Sequence, residues 1–294
     1  MSAAGISSET RALRGLRYGV RLAGDAGAPA VLLLHGFAGS GDDWAAVAAS
    51  LAAAGYRAIA VDLPGHGATA APAGHPLARF AMEETALDLT ALLDDLSVAR
   101  AHWVGYSMGG RIALGSAIAH PERVDTLTLE SAAPGIADAV ERAERVRSDE
   151  ALAAAIESRG AAWFAESWGS LPIFESQRSL PEAMRAELAR RRKRCDPAGL
   201  AASLRAIGQG AQPFLGDRVS EFPRPALLVT GALDSKYVSL AAEMAPRFSA
   251  ALHVVIPGAG HNVHLEQPEW FGRSLLTHLR RHGGRVPLES PATP

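Results

Sequence analysis

Six short, mostly apolar runs constrain this chain more than any other feature: residues 31–34, 56–61, 101–104, 124–129, 226–229 and 252–256. Most of them stop at a Gly or Pro turn, as in His35-Gly36-Phe37, Asp62-Leu63-Pro64-Gly65, Thr230-Gly231 and Pro257-Gly258. Runs of this kind fit strands buried on both faces of a parallel sheet. Between the first of them lie segments with helical spacing. Trp44, Val47, Ala48 and Leu51 fall at i, i+3, i+4 and i+7, and Phe80–Leu96 repeats the pattern with Leu87, Leu89, Leu92, Leu93 and Leu96. Strands alternating with helices predict an α/β fold with a mostly parallel central sheet flanked by helices. The rhythm breaks after Pro134: residues 136–216 hold no strand pattern and read as four helices, over 137–146, 150–166, 181–193 and 198–208. An all-helical insertion of this kind is expected to form a cap over the carboxyl edge of the sheet, where ligands bind in such folds. The expected organisation is an N-terminal extension (1–17), a core (18–135 and 217–281), a cap (136–216) and a loose C-terminal tail (282–294).

Composition narrows the function classes. The 294 residues carry 29 Lys and Arg against 31 Asp and Glu, a net charge of −2, so no basic face argues for nucleic acid. The single cysteine, Cys195, excludes an intramolecular disulfide framework and any multi-thiolate metal site. The N-terminus shows no charged and then apolar leader, and no stretch is long and apolar enough to span a bilayer. The expectation is a cytoplasmic protein with no membrane or nucleic-acid partner and no cofactor: no phosphate-loop or dinucleotide glycine pattern occurs, nor a convincing metal-ligand spacing. Oligomeric state is not legible. The basic run Arg190–Arg194 has three readings: a solvated helix face, an anion-binding rim of the cap, or a nucleic-acid patch.

The chemistry concentrates at Gly105-Tyr106-Ser107-Met108-Gly109, a G-x-S-x-G between a strand and a helical pattern. A nucleophile elbow places its serine on such a strained strand-to-helix turn, beside the favourable positive end of the helix. Asp234 follows the run 226–229, and His261 follows the run 252–256. Each of the three candidates stands just past a strand end, in the order Ser, Asp, His used by α/β-hydrolases. His264 and Asp62 are the rival base and acid, with Asp62 read as structural because it opens a Pro-Gly turn. An oxyanion hole needs two backbone N–H donors. Met108, next to the serine, and Phe37, in the loop after the first run, are the candidates. Arg111 lies one turn into the elbow helix, where its planar fork can serve a substrate carboxylate; a simple esterase for neutral esters has no use for it there.

These motifs resemble the α/β-hydrolases from about Tyr18 to Leu279. Within them the chain is most similar to the 2-succinyl-6-hydroxy-2,4-cyclohexadiene-1-carboxylate synthases (MenH) of menaquinone biosynthesis. The stretches that carry this are His35–Ser40 with Trp44, Asp62–Gly67, Gly105–Arg111, Glu130–Ile136, Glu141-Arg142 with Arg145, Trp168 with Leu171–Phe174, Asp234–Tyr237 and Gly260–His264. The resemblance implies a lyase that eliminates pyruvate from 2-succinyl-5-enolpyruvyl-6-hydroxy-3-cyclohexene-1-carboxylate. Ser107 would be the base, activated by His261 and Asp234. Arg111, Arg145 and Arg142 would bind the carboxylates of a small polycarboxylate substrate. Trp168, Tyr106 and Ser40 would complete the substrate site. The same triad also serves acyl transfer, so a serine hydrolase of another acidic ester, thioester or carbon–carbon bond stands as the alternative. A non-catalytic binding protein on the same scaffold is the remaining possibility, since fold alone does not fix function.

Overall fold

The computed structural model describes residues 5–69 and 76–282. Eight strands form one sheet: β1 (Ile6–Leu13), β2 (Leu16–Ala23), β3 (Ala30–Leu34), β4 (Arg57–Val61), β5 (Ala101–Tyr106), β6 (Val124–Glu130), β7 (Ala226–Gly231) and β8 (Ala251–Ile256). Their order is β1-β2-β4-β3-β5-β6-β7-β8. The pairs β1/β2 and β2/β4 are antiparallel, and every other pair is parallel. The helices are α1 (Ala45–Ala53), α2 (Met82–Asp95), α3 (Met108–Ala119), α4 (Ala139–Gly169), α5 (Glu182–Lys193), α6 (Pro197–Ile207), α7 (Ser235–Met244), α8 (Val263–Glu266) and α9 (Pro268–His282).

Alternation along the central strands explains why their runs are apolar throughout. In β3, Leu32 and Leu34 face a layer containing residues of α2, α3 and α7, while Val31 and Leu33 face a layer containing residues of α1 and α9. All five residues of β3 are buried.

The first strands correct the expectation of an N-terminal extension over 1–17. Residues 6–13 pair along their whole length with 16–23, across a turn in which Arg14 and Gly15 both have positive φ, at 44° and 88°. Leu13 and Leu16 are buried in the core. The signal is weak because β1 is an edge strand whose exposed positions include Ser7, Ser8 and Thr10 rather than an unbroken apolar run. The expected tail over 283–294 lies outside the described residues. Among the described residues, no helix is long and apolar enough to cross a membrane.

Helices α4, α5 and α6 stand between β6 and β7 in sequence and hold a small core of their own, in which Ile156, Phe164, Leu200 and Leu204 pack against Ala38 of the sheet domain. Asp138 and Asp196 start α4 and α6 by accepting first-turn N–H groups through their side chains. No break falls between the helices expected over 137–146 and 150–166; the break in α4 comes later, at Gly160, whose non-helical backbone (φ 80°, ψ 176°) divides it into two helices. Helix α5 buries no residue. It is tied to the sheet domain by an ion pair of 2.8 Å between Arg191 and Asp43.

Candidate active site

The site starts from one strained residue. Ser107 links β5 to α3 with φ 51° and ψ −108°, a conformation that costs a non-glycine residue free energy. Its surroundings leave the backbone little alternative. The Ser107 N–H donates to the Glu130 carbonyl of β6 at 2.8 Å, and a side chain at Gly109 would collide with the carbonyls of Leu34 and His35. The turn is therefore narrow and fixed, with its hydroxyl at the carboxyl edge of the sheet.

The other two groups come from the ends of neighbouring strands. Asp234 caps α7, accepting the Tyr237 N–H at 3.4 Å through Oδ1, while Oδ2 lies 2.6 Å from His261 Nδ1. His261 Nε2 lies 3.0 Å from Ser107 Oγ. A carboxylate can only accept, so Nδ1 carries the proton and Nε2 is left to accept from the hydroxyl. His261 is 3% exposed, which shields these bonds from water. The arrangement can raise the basicity of Ser107 and stabilise the imidazolium that forms when the proton moves.

These groups open into a cavity of about 330 Å³ between the sheet domain and helices α4 and α6. Phe37 and Met108 line it beside Ser107. The Met108 N–H belongs to the first turn of α3 and has no partner within its own helix. Tyr106 and Trp168 also line the cavity. The Trp168 ring packs 5.1 Å from Phe37, and Tyr106 lies 5.4 Å from the His261 ring.

Arg111 reaches the same cavity and is 6% exposed. Its Nη1 donates to the Ile207 carbonyl at 2.9 Å and to Gln212 Oε1 at 2.7 Å. Among the described residues, no carboxylate lies within 4.0 Å of it. Burial, reinforced by the nearby charge of Arg145, lowers its pKa to about 10, so it remains a cation at neutral pH. Arg145 faces the cavity as well, but is half-exposed and paired with Asp149 at 2.7 Å, its Nη1 donating to Gln209 Oε1.

Two sequence candidates stand elsewhere. Arg142 lines neither this cavity nor the adjoining one of about 640 Å³. The lining stripe of α4 is Glu141, Arg145, Ser148 and Leu152. Arg142 is rotated about 100° from Glu141 on the helix. Ser40 is used in a cap: its hydroxyl accepts the Asp42 N–H, and its own N–H donates to Asp43 Oδ2. The rival residues are engaged as well. Asp62 is fully buried, ion-paired with Arg21 and accepting the N–H groups of Gly41 and Ala68, and His264 pairs with Glu130. The basic run splits: Arg190 pairs with Glu187 in solvent, Arg191 with Asp43, and Arg192 lies half-buried over the Phe174 ring.

Sequence reasoning missed three residues. Tyr237 is buried with its ring 4.5 Å from His261, and its hydroxyl accepts from Gln209, which in turn accepts from Arg145. Its position three residues after Asp234 on α7 is a usable signal. Gln209 and Gln212 follow α6 in a turn with no periodicity, so no signal marks them. Among the described residues, no cluster of three or more His, Cys, Asp or Glu could hold a metal ion.

Comparison with known proteins agrees with this geometry. The α/β-hydrolase fold family matches residues 29–268. A 2-succinyl-6-hydroxy-2,4-cyclohexadiene-1-carboxylate synthase of Escherichia coli O1:K1 is 35% identical over 87% of this chain and 96% of its own length. A Bacillus subtilis protein provisionally given the same name is 38% identical over 90% of this chain and 95% of its own. The structure of MenH from S. aureus superposes with a TM-score of 0.85 at 29% identity, covering 90% of this chain and 98% of that one. The chain belongs to the α/β-hydrolase fold family and, within it, to the 2-succinyl-6-hydroxy-2,4-cyclohexadiene-1-carboxylate synthases.

Proposed function

We propose that this enzyme eliminates pyruvate from 2-succinyl-5-enolpyruvyl-6-hydroxy-3-cyclohexene-1-carboxylate. The observation that carries the proposal is Arg111: a buried guanidinium with no carboxylate partner among the described residues, lining the same cavity as Ser107 and His261. A buried cation is costly until an anion reaches it. The substrate brings several carboxylates, each matching the planar fork of an arginine. Arg145 supplies a second cation at the same wall, and Arg192, over Phe174, a third on the other side of Trp168.

In this reading His261 takes the Ser107 proton, and Ser107 Oγ removes the ring proton beside the succinyl carbonyl. Negative charge develops on that carbonyl and meets the N–H groups of Phe37 and Met108. Electrons move through the ring to form the diene, and the ring C–O bond to the enolpyruvyl group breaks. The enolate that leaves becomes pyruvate on taking up a proton. Asp234 holds the imidazole tautomer throughout. Trp168 and Tyr106 flank the ring and exclude water.

The test is direct. The purified enzyme incubated with the enolpyruvyl substrate is expected to release one pyruvate per substrate consumed. Loss of pyruvate release in Ser107→Ala would support the assignment of the base. No release from the wild type, together with an acyl-enzyme burst from activated esters, would overturn the lyase reading in favour of a serine hydrolase.

A further inference from the structure

Outside the triad, one fully buried carboxylate stands next to the nucleophile turn: Glu130, the last residue of β6. It uses both ends. Its main-chain carbonyl accepts the Ser107 N–H at 2.8 Å. Its carboxylate accepts twice from His264: the backbone N–H at 2.9 Å on Oε1 and Nδ1 at 2.7 Å on Oε2. One residue thus fastens both the nucleophile turn and the segment that carries His261, three positions before His264.

His264 is held on its other sides as well. Trp44 stacks on its ring at 4.1 Å and 23°. The Tyr106 ring sits 5.3 Å from His264 and 5.4 Å from His261, so the two imidazoles share one aromatic neighbour. A second carboxylate completes the clasp: Glu266 accepts the N–H of Gly260 at 2.6 Å and that of Asn262 at 3.2 Å, the residues on either side of His261.

We propose that Glu130 and His264 are positioning residues that set the distance between Ser107 and His261. The physical reason is tolerance: a reacting pair must be held within roughly 0.5 Å of its working geometry. Ser107 is fixed by its own strained turn, whereas His261 stands in a loop and needs an external reference. Glu130 supplies that reference by bonding to Ser107 itself and to His264, three residues beyond His261. A core pair that served stability alone would have no need to join these two segments. The proposal rests on Ser107 and His261 being the reacting pair, and not on which substrate they act upon.

The test uses the full-length enzyme and a small uncharged fluorophosphonate, which labels an activated serine without calling on the arginines. Labelling of the wild type at Ser107 checks the reacting pair itself. The ratio of variant to wild-type rates then tests the positioning role separately. Glu130→Gln and His264→Gln are each expected to slow labelling about tenfold or more while remaining folded, and to shift the far-downfield NMR resonance of the His261 Nδ1 proton. Trp44→Phe, which keeps an aromatic ring on His264, is expected to slow labelling less than either. Folded variants that label within twofold of wild type, with an unmoved resonance, would overturn the proposal. Failure of all three to fold would overturn it too, by assigning the pair to core stability.

Discussion

The sheet domain and the helical segment above it place their functional groups by opposite means. Below, geometry is set by backbone: Ser107 sits on a strained turn, and Gly109 has no room for a side chain. Above, helix α5 buries no residue, and position is set by side-chain pairs such as Arg191–Asp43 and Arg205 with Glu150 and Glu157. The chemistry needs sub-ångström accuracy and comes from the rigid layer. Anion recognition, on the proposed reading, draws on both layers: Arg111 from α3 of the sheet domain and Arg145 from α4 above it. Titration divides the same way, because all ten histidines lie outside residues 136–216.

Substitutions in the two layers should therefore fail differently. Ser107→Ala is expected to lower kcat about 10³-fold or more with little change in melting temperature, read by pyruvate release and calorimetry. Gly109→Ala should instead destabilise the fold, by about 1–3 kcal/mol, because its methyl meets main-chain carbonyls; denaturant midpoints measure this. Arg145→Ala, at a half-exposed and already paired cation, should raise KM about tenfold and leave the fold intact. Arg191→Ala removes a partly exposed pair between the two layers and should change stability by about 0–1 kcal/mol, an effect that fades as salt is added. The acid limb of stability belongs to the lower layer. Burial holds His66 near pKa 3, below the ordinary 6.5, so it stays neutral in the fold while the unfolded chain binds a proton. Stability is then full above about pH 6.5 and declines as pH falls from there toward 3. Urea titrations at pH 7, 5 and 4 check the decline, and His66→Gln should make it shallower without abolishing it, because burial also lowers His278, to about 4.

What could be read from the sequence follows the same division. The runs that became β3 to β7 were legible because strands buried on both faces allow few polar residues, and β8 because it is apolar although it is a half-exposed edge strand. The three triad positions were legible because each follows such a run. The β1–β2 hairpin was not, since β1 carries Ser7, Ser8 and Thr10 at its exposed positions. In the helical segment the pattern gave helices but not their facing. A spacing of three reads as one shared helix face for Arg142 and Arg145, yet only Arg145 lines the cavity. Ser40 enters the substrate site through the resemblance alone, and a local cap uses it. Gln209 and Gln212 act through contacts made across the fold, with Arg145 and Arg111, which no local spacing encodes.

Central to the account is a cation kept apart from any acid so that an incoming carboxylate can claim it. The decisive measurement compares Arg111→Ala with wild type on two substrates, the polyanionic enolpyruvyl compound and a neutral aryl ester. On this account kcat/KM for the polyanion falls by about 30-fold or more, in line with the roughly 2–5 kcal/mol lost when one partner of a buried charge pair is removed. Turnover of the neutral ester stays within about threefold. Equal losses on both substrates would contradict it, because Arg111 would then be supporting the site rather than recognising charge.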